Sequence, residues 1–201
     1  MKTKQTNPHI LLSGKSPAPL LEIFFEINHL KQLFRQGWLR HLAPAQCESV
    51  AEHTLATVLM AWMLADTLFP ELDRERVLML ALLHDIGEIY AGDITPADAV
   101  SAGEKHRRES AAVRRIVGKL PRGERYLALW EEYESGATPE ARLVKQVDKL
   151  EMALQACIYE HQHGLNLQEF LDSAALVLES PELKSLFEQI LEVRPPEAGR
   201  K

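Results

Sequence analysis

Cysteine is scarce in this chain: Cys47 and Cys157 are the only two among 201 residues, and they form no CxxC pair. That excludes a disulfide framework and a thiolate zinc site, and a reducing cytoplasm is the expected setting. Long apolar runs are also missing. No segment reaches the roughly 18 uninterrupted apolar residues of a membrane span. The start, MKTKQTNPHILLSGKSPAP, offers only the run ILL, too short for a secretion signal. Positive charge is in deficit, with 23 Lys and Arg against 29 Asp and Glu and a net charge of −6. Such a balance argues against nucleic acid or an anionic membrane as a partner recruited by net charge, so a small anionic ligand would need a local basic pocket.

What is present suits a single core. Hydrophobic residues make up 46% of the chain, enough for one domain of this length without auxiliary staples. Residues 1–18 read as an extended or mobile arm, 19–193 as the domain, and 194–201 as a tail stopped by Pro195 and Pro196. Within the domain the periodicity is helical nearly throughout, punctuated by Pro, Gly and Asp, and no strand-like alternation, repeat or low-complexity tract competes with it. The expected fold class is an all-α bundle.

Pro19 sits at the first position of a helix expected over 20–36 and ended by Gly37. Ser49 and Glu52 have the spacing of a capping box for a nearly all-apolar helix to about Leu68. Asp73 starts a third helix expected to stop near Gly92, and Thr95 caps a short helix opened by Pro96. Amphipathic segments follow at about 104–119 and 122–134, then a long helix from Thr138 and Pro139 to Gly164, and two more opened by Asn166 and Ser180.

The third helix, RVLMLALLHDIGEIYAG, carries a puzzle. Its apolar run ends in His84, Asp85 and Glu88, three groups that are costly to bury. Residues four apart share a helical face, so His84 and Glu88 stack while Asp85 points aside. A divalent cation in an interhelical groove would make such a carboxylate tolerable. His53, near the start of the second helix, and Asp148, on the inner flank of the long one, are candidates to complete the set. Together His53, His84, Asp85 and Asp148 offer nitrogen and oxygen donors suited to Mn, Fe, Co, Ni, Zn or Mg. Taken singly, each has a plainer reading. A lone helical His is ordinarily a hydrogen-bonded core residue, Asp148 beside Lys145 and Lys149 is equally a salt-bridge partner, and Asp93 after Gly92 is a turn former. Spacing alone leaves both readings open.

The ordered set ESVAEH, ALLHDIGEIYAGDITPAD, GEKHRRESA, LWEEYES and VKQVDKLEMALQACIYE resembles the HD-domain phosphohydrolases, and within them the 5'-deoxynucleotidases, over about residues 20–190. The resemblance implies an all-α fold, a homodimer, a divalent metal cofactor such as Mn, Co or Mg, and a nucleotide substrate. It matches His53, His84, Asp85 and Asp148 to the family's metal ligands. Glu88 matches a general acid or base, and Asp93 matches a carboxylate that orients the attacking water and helps recognise substrate. In RQGW, Arg35 would bind phosphate and Trp38 would pack on the sugar, with Arg40 competing for the phosphate role. The implied reaction is hydrolysis of deoxynucleoside 5'-monophosphates. The same ligands also suit another phosphoester, such as a cyclic nucleotide or guanosine polyphosphate, or a metal-stabilised dimer that binds a nucleotide without turnover. EKHRRES reads as a solvated face of paired charges, with Lys105 or Arg108 near a phosphate or the dimer contact as the alternative.

Overall fold

In the computed structural model, which describes residues 2–196, the chain folds as an all-α bundle. The helices are α1 (Pro19–Ile27), α2 (Val50–Leu68), α3 (Arg74–Leu83), α4 (Glu88–Ala91), α5 (Ala102–Val117), α6 (Gly123–Ser135), α7 (Pro139–His163), α8 (Gln168–Ala175) and α9 (Pro181–Glu192). Helix starts follow their caps: Ser49, Asp73, Ser101, Thr138 and Ser180 each accept a hydrogen bond from a backbone N–H of the following turn. At Ser49 the box is reciprocal, its backbone N–H donating to Glu52 at 2.6 Å. Asn166 stands one residue outside α8 and accepts from the Gln168 N–H at 3.2 Å.

α7 is the central post, in contact with α2, α3, α6, α8 and α9. Its buried face, including Val144, Val147, Ala153 and Ala156, packs with Ala61 and Ala65 of α2 and Leu80 and Ala81 of α3. A second apolar cluster joins Ile23, Leu33, Val50, Ile86, Ile89, Val113, Ile116 and Trp130. Leu83 touches both clusters. The residues that follow it therefore sit at the seam between two cores.

Two expected helices are interrupted. The one expected over 20–36 leaves α-geometry at Ile27, where the Phe24 carbonyl accepts both the Asn28 backbone N–H and, at 2.7 Å, the Asn28 side-chain amide. The chain then passes through a 3-10 segment, Asn28–Lys31, into an extended strip. The helix expected to run from Asp73 to Gly92 stops at Leu83 and resumes at Glu88, so His84, Asp85, Ile86 and Gly87 form a turn rather than a helical face. A β-carbon on Gly87 would meet Glu109 Cβ at 2.9 Å and its backbone at 3.2 Å. Glycine lets α5 lie directly on the turn.

The arm is docked over the strip. Thr3 bridges Leu33, the Lys4 N–H donates to the Gln32 carbonyl at 2.7 Å, and a 3-10 segment spans Pro8–Leu12. Of the expected tail, Arg194 is anchored to Glu160 at 2.7 Å, and residues 197–201 lie outside the described residues. Among the described residues no helix is long and apolar enough to cross a membrane.

The close approach of α5 to the turn makes Gly87→Ala a test of the packing. The variant is expected to lose about 1–3 kcal/mol, as overpacked sites do, measured by urea unfolding; an unchanged midpoint would show that α5 can retreat without cost.

Candidate functional site

Each histidine at the seam has one ring nitrogen committed. His53, fully buried in the first turns of α2, is bonded through Nδ1 to Glu151 of α7 at 2.6 Å. His84 donates through Nδ1 to the carbonyl of Ala81 at 2.7 Å. These bonds leave both Nε2 atoms for a shared point. His53 Nε2 lies 3.0 Å from Asp148 Oδ1 and 3.7 Å from Asp85 Oδ2, and His84 Nε2 lies 3.1 Å from the same Asp85 oxygen. Donor atoms of His53, His84 and Asp148 fall within 4.8 Å of one another. The four residues proposed from sequence are thus brought together by three elements: α2, the α3–α4 turn and α7.

The polar bookkeeping fits a cation. His84 Nε2, Asp85 Oδ2 and Glu88 Oε2 are buried without a hydrogen-bond partner, a costly state unless another group completes them. Two of these atoms, His84 Nε2 and Asp85 Oδ2, lie 3.1 Å apart, and the nitrogen and oxygen set suits a divalent ion. Glu151 adds what the sequence reading missed. A carboxylate on the far nitrogen of a ligating histidine fixes its tautomer and raises its basicity. The signal was present in DKLE, since Glu151 stands three residues after Asp148 and so on the same side of α7.

Electrostatics set the protonation states. Burial and Arg35 push His53 down, but its bonds to Asp148 and Glu151 more than reverse this and leave it raised to about 9. Burial works to raise Asp85, and the contact with His84, reinforced by Arg35 and His53, holds it below the usual carboxylate range. Asp148 resists burial in the same way through Lys149 and His53, and is held well below that range. Glu88 goes the other way. Its own burial, then the neighbouring Asp85 and Asp93, push its carboxyl well above the ordinary value. Two carboxylates near the histidines are pushed down and a third is pushed up, the divergence expected where acid and base roles are divided.

Arg35 stands among the acids. Its guanidinium lies 3.3 Å from Asp93, 3.8 Å from Asp85, 3.9 Å from Glu88 and 4.0 Å from Asp148. Asp93 also accepts the Gln36 backbone N–H at 2.6 Å. Arg40 pairs instead with Glu169 at 2.5 Å, both residues lining the same cavity as Arg35. Trp38 is buried between Tyr159 and Phe170, with centroid distances of 5.3 and 4.2 Å, and its indole donates to Glu48 at 2.8 Å. A cavity of about 740 Å³ opens on Asp85, Glu88, Asp93 and Asp148, with Arg35 and Trp38 also in its wall. Lys105 lines it too, 3.6 Å from Glu109, whereas Arg108 is bonded to Glu104 on the exposed side of α5. EKHRRES is therefore a solvated face with two residues, Lys105 and the buried Glu109, turned to the cavity. Asp148 satisfies both of its sequence readings, since it bonds His53 and pairs with Lys149 at 3.0 Å.

An all-α bundle with His and Asp donors gathered at a broken helix defines a class, and comparison with known proteins agrees. The chain belongs to the HD domain family, whose sequence model matches residues 27–188. It is 40% identical over 184 residues to the human 5'-deoxynucleotidase HDDC2, covering 89% of this chain and 87% of that protein. It is 34% identical over 177 residues to the 5'-deoxynucleotidase hdd1 of Schizosaccharomyces pombe, covering 84% and 86%. Among solved structures, the PH0347 protein of Pyrococcus horikoshii superposes with a TM-score of 0.72 at 28% identity, covering 87% of this chain and 99% of that one. A protein of Magnetospirillum magnetotacticum described as a predicted metal-dependent phosphohydrolase gives 0.68 at 30% identity, covering 89% and 98%.

The His53–Glu151 bond yields a quantitative expectation. Glu151→Gln should weaken divalent-metal affinity about 10- to 100-fold, as loss of such outer partners does, read by chelator competition on folded protein. Affinity equal to wild type would show that the bond only packs the ring.

Proposed function

We propose that this chain is a metal-dependent 5'-deoxynucleotidase, which hydrolyses deoxynucleoside 5'-monophosphates to deoxynucleosides and phosphate. The observation that carries the reading is the convergence of His53, His84, Asp85 and Asp148 on one point of a cavity that also holds Arg35, Glu88 and Asp93. The extended likeness to proteins named as 5'-deoxynucleotidases supports the substrate class.

The first four residues are the assigned ligands of a divalent cation, for which Mn, Co, Mg or another transition metal is a candidate. A divalent ion there supplies Lewis acidity and offsets the charge of a phosphoryl group. The remaining steps belong to the chain. Arg35, already facing the carboxylates, presents planar N–H donors to the phosphate oxygens. Asp93, fixed by Arg35 and the Gln36 N–H, orients a water for in-line attack on phosphorus. Glu88, whose carboxyl keeps its proton far above the usual range, donates that proton to the 5'-oxygen as the bond to phosphorus breaks. Trp38 closes the sugar end of the cavity. A 2'-hydroxyl buried there without a partner would cost roughly 1–3 kcal/mol, which disfavours ribonucleotides.

The decisive assay is phosphate release from matched deoxyribo- and ribonucleoside 5'-monophosphates by metal-stripped protein with and without Mn, Co or Mg. Metal-dependent turnover that favours the deoxy series is expected, and Glu88→Gln should lose about 100-fold or more in kcat while binding metal normally, as for loss of a general acid. No release from any monophosphate by metal-loaded protein would sink the assignment.

The same reading includes a homodimer in the cytoplasm. Support for the dimer comes from α2, which exposes Leu55, Leu59, Trp62 and Met63 along one side. Sedimentation equilibrium is expected to give twice the chain mass for wild type and the chain mass for Trp62→Glu; a monomeric wild type would exclude it.

A further inference from the structure

The resemblance to other HD proteins leaves residues 2–12 without a role, yet they touch the strip that carries Arg35. The contact is dense. Beyond the Thr3 and Lys4 pairing with Leu33 and Gln32, the Lys2 N–H donates to Gln36 Oε1 at 2.8 Å, and Gln36 Nε2 donates to the carbonyls of Lys2 and Phe34, each at 2.8 Å. The Gln36 amide thus pairs with the Lys2 peptide as one strand residue pairs with another. On its opposite edge the strip is held to the start of α2: Arg35 N–H donates to the Glu48 carbonyl at 3.1 Å, and Val50 N–H donates to the Leu33 carbonyl at 2.9 Å.

Gln36 faces two ways. Its side chain is spent on the arm, while its backbone N–H holds Asp93 at 2.6 Å, beside the Arg35 guanidinium at 3.3 Å. The arm reaches a second part of the site through Lys4, whose Nζ lies 3.3 Å from Glu52, the residue just before His53. We propose that the N-terminal arm is a positioning strap for the catalytic cavity, with Gln36 as the positioning residue that transmits its grip to Asp93 and Arg35. The inference rests on the function proposed above for those two residues. It assigns the arm no contact with substrate. With Gln36 free to move, Asp93 loses a backbone donor that fixes its carboxylate, and Arg35 shares the same displaced backbone. Misplacing a positioning group by as little as 1 Å can cost up to about 100-fold in rate.

Two full-length variants test this. Lys4→Pro removes the N–H that donates to Gln32, and Gln36→Met keeps the side-chain length without its hydrogen bonds. Both are compared with wild type at a temperature where all three are folded by circular dichroism, with metal content measured. The first readout is hydrogen exchange of amides 33–36, the second is kcat/KM for a deoxynucleoside monophosphate, and the third is affinity for inorganic phosphate. Faster exchange in the strip, a fall of about tenfold in kcat/KM and weaker phosphate binding at unchanged metal content are expected, within the range that misplacement produces. Unchanged exchange would show that the arm does not hold the strip. Faster exchange with kcat/KM and phosphate affinity both at wild-type values would show that the strip does not govern the site; either result overturns the proposal. Should wild type hydrolyse no monophosphate, the proposed function fails by itself. The strap is then judged on exchange and inorganic phosphate affinity alone, and wild-type affinity in both variants overturns it.

Discussion

Everything at the seam follows from an excess of buried negative charge. Asp85, Glu88, Asp93 and Asp148 surround a single guanidinium, Arg35, at 3.3 to 4.0 Å. Burying carboxylates in a low-dielectric interior is expensive, and one arginine cannot compensate four of them. The chain relieves the strain in the ways open to it. It pushes the Glu88 carboxyl well above its ordinary value, raises His53 to about 9, and leaves His84 Nε2 and Asp85 Oδ2, 3.1 Å apart, without hydrogen-bond partners where a cation would complete them. A site that is unfavourable alone and favourable with a divalent ion couples metal binding to the stability of the fold.

The helix breaks are what permit this arrangement. A continuous helix from Asp73 to Gly92 would have spread His84, Asp85 and Glu88 around a cylinder, with Asp85 turned away from the other two. The turn at 84–87 instead bends His84 and Asp85 toward the same point, and Gly87 lets α5 seal the outside of the bend. The early end of α1 has an analogous effect. Because the chain leaves α-helical geometry after Ile27, Leu33 and Phe34 form bridges to Thr3 of the arm and to Ser49 at the start of α2, and Arg35 and Gln36 reach Asp93 from there.

Much of this was legible in the sequence because it is local. The caps at Ser49, Asp73, Thr138 and Ser180 mark where helices begin, since each depends on a side chain and a backbone N–H only a few residues apart. The all-α class follows from the apolar period for the same reason. The two interruptions were not legible, because HDIG and INHL are compatible with helix locally and are broken by tertiary packing. His53, His84, Asp85 and Asp148 were nameable as a set through the family motifs, while spacing alone left each with a plainer alternative. Glu151 escaped notice because a carboxylate three residues from another on a charged helix looks like surface. Only its bond to a fully buried histidine distinguishes it.

Charge also orders the events that the proposed reaction requires. A phosphate monoester near neutral pH is an anion, and the cavity it would enter is lined by Asp85, Asp93 and Asp148 together with the cations Arg35, Arg40, Lys105, Lys145 and Lys149. Arg35 is already engaged with those acids, Lys149 with Asp148, Lys105 with Glu109 and Arg40 with Glu169, while Lys145 lies over the Tyr133 ring. Most of that positive charge is already committed to carboxylates, and because interactions inside a poorly screened cavity are stronger than in bulk water, a cation that offset Asp85, Asp93 and Asp148 would strengthen the hold on a phosphate by freeing the guanidinium to be shared with it. The surplus of acid gathered at the seam is, on this argument, what ties anion binding to metal.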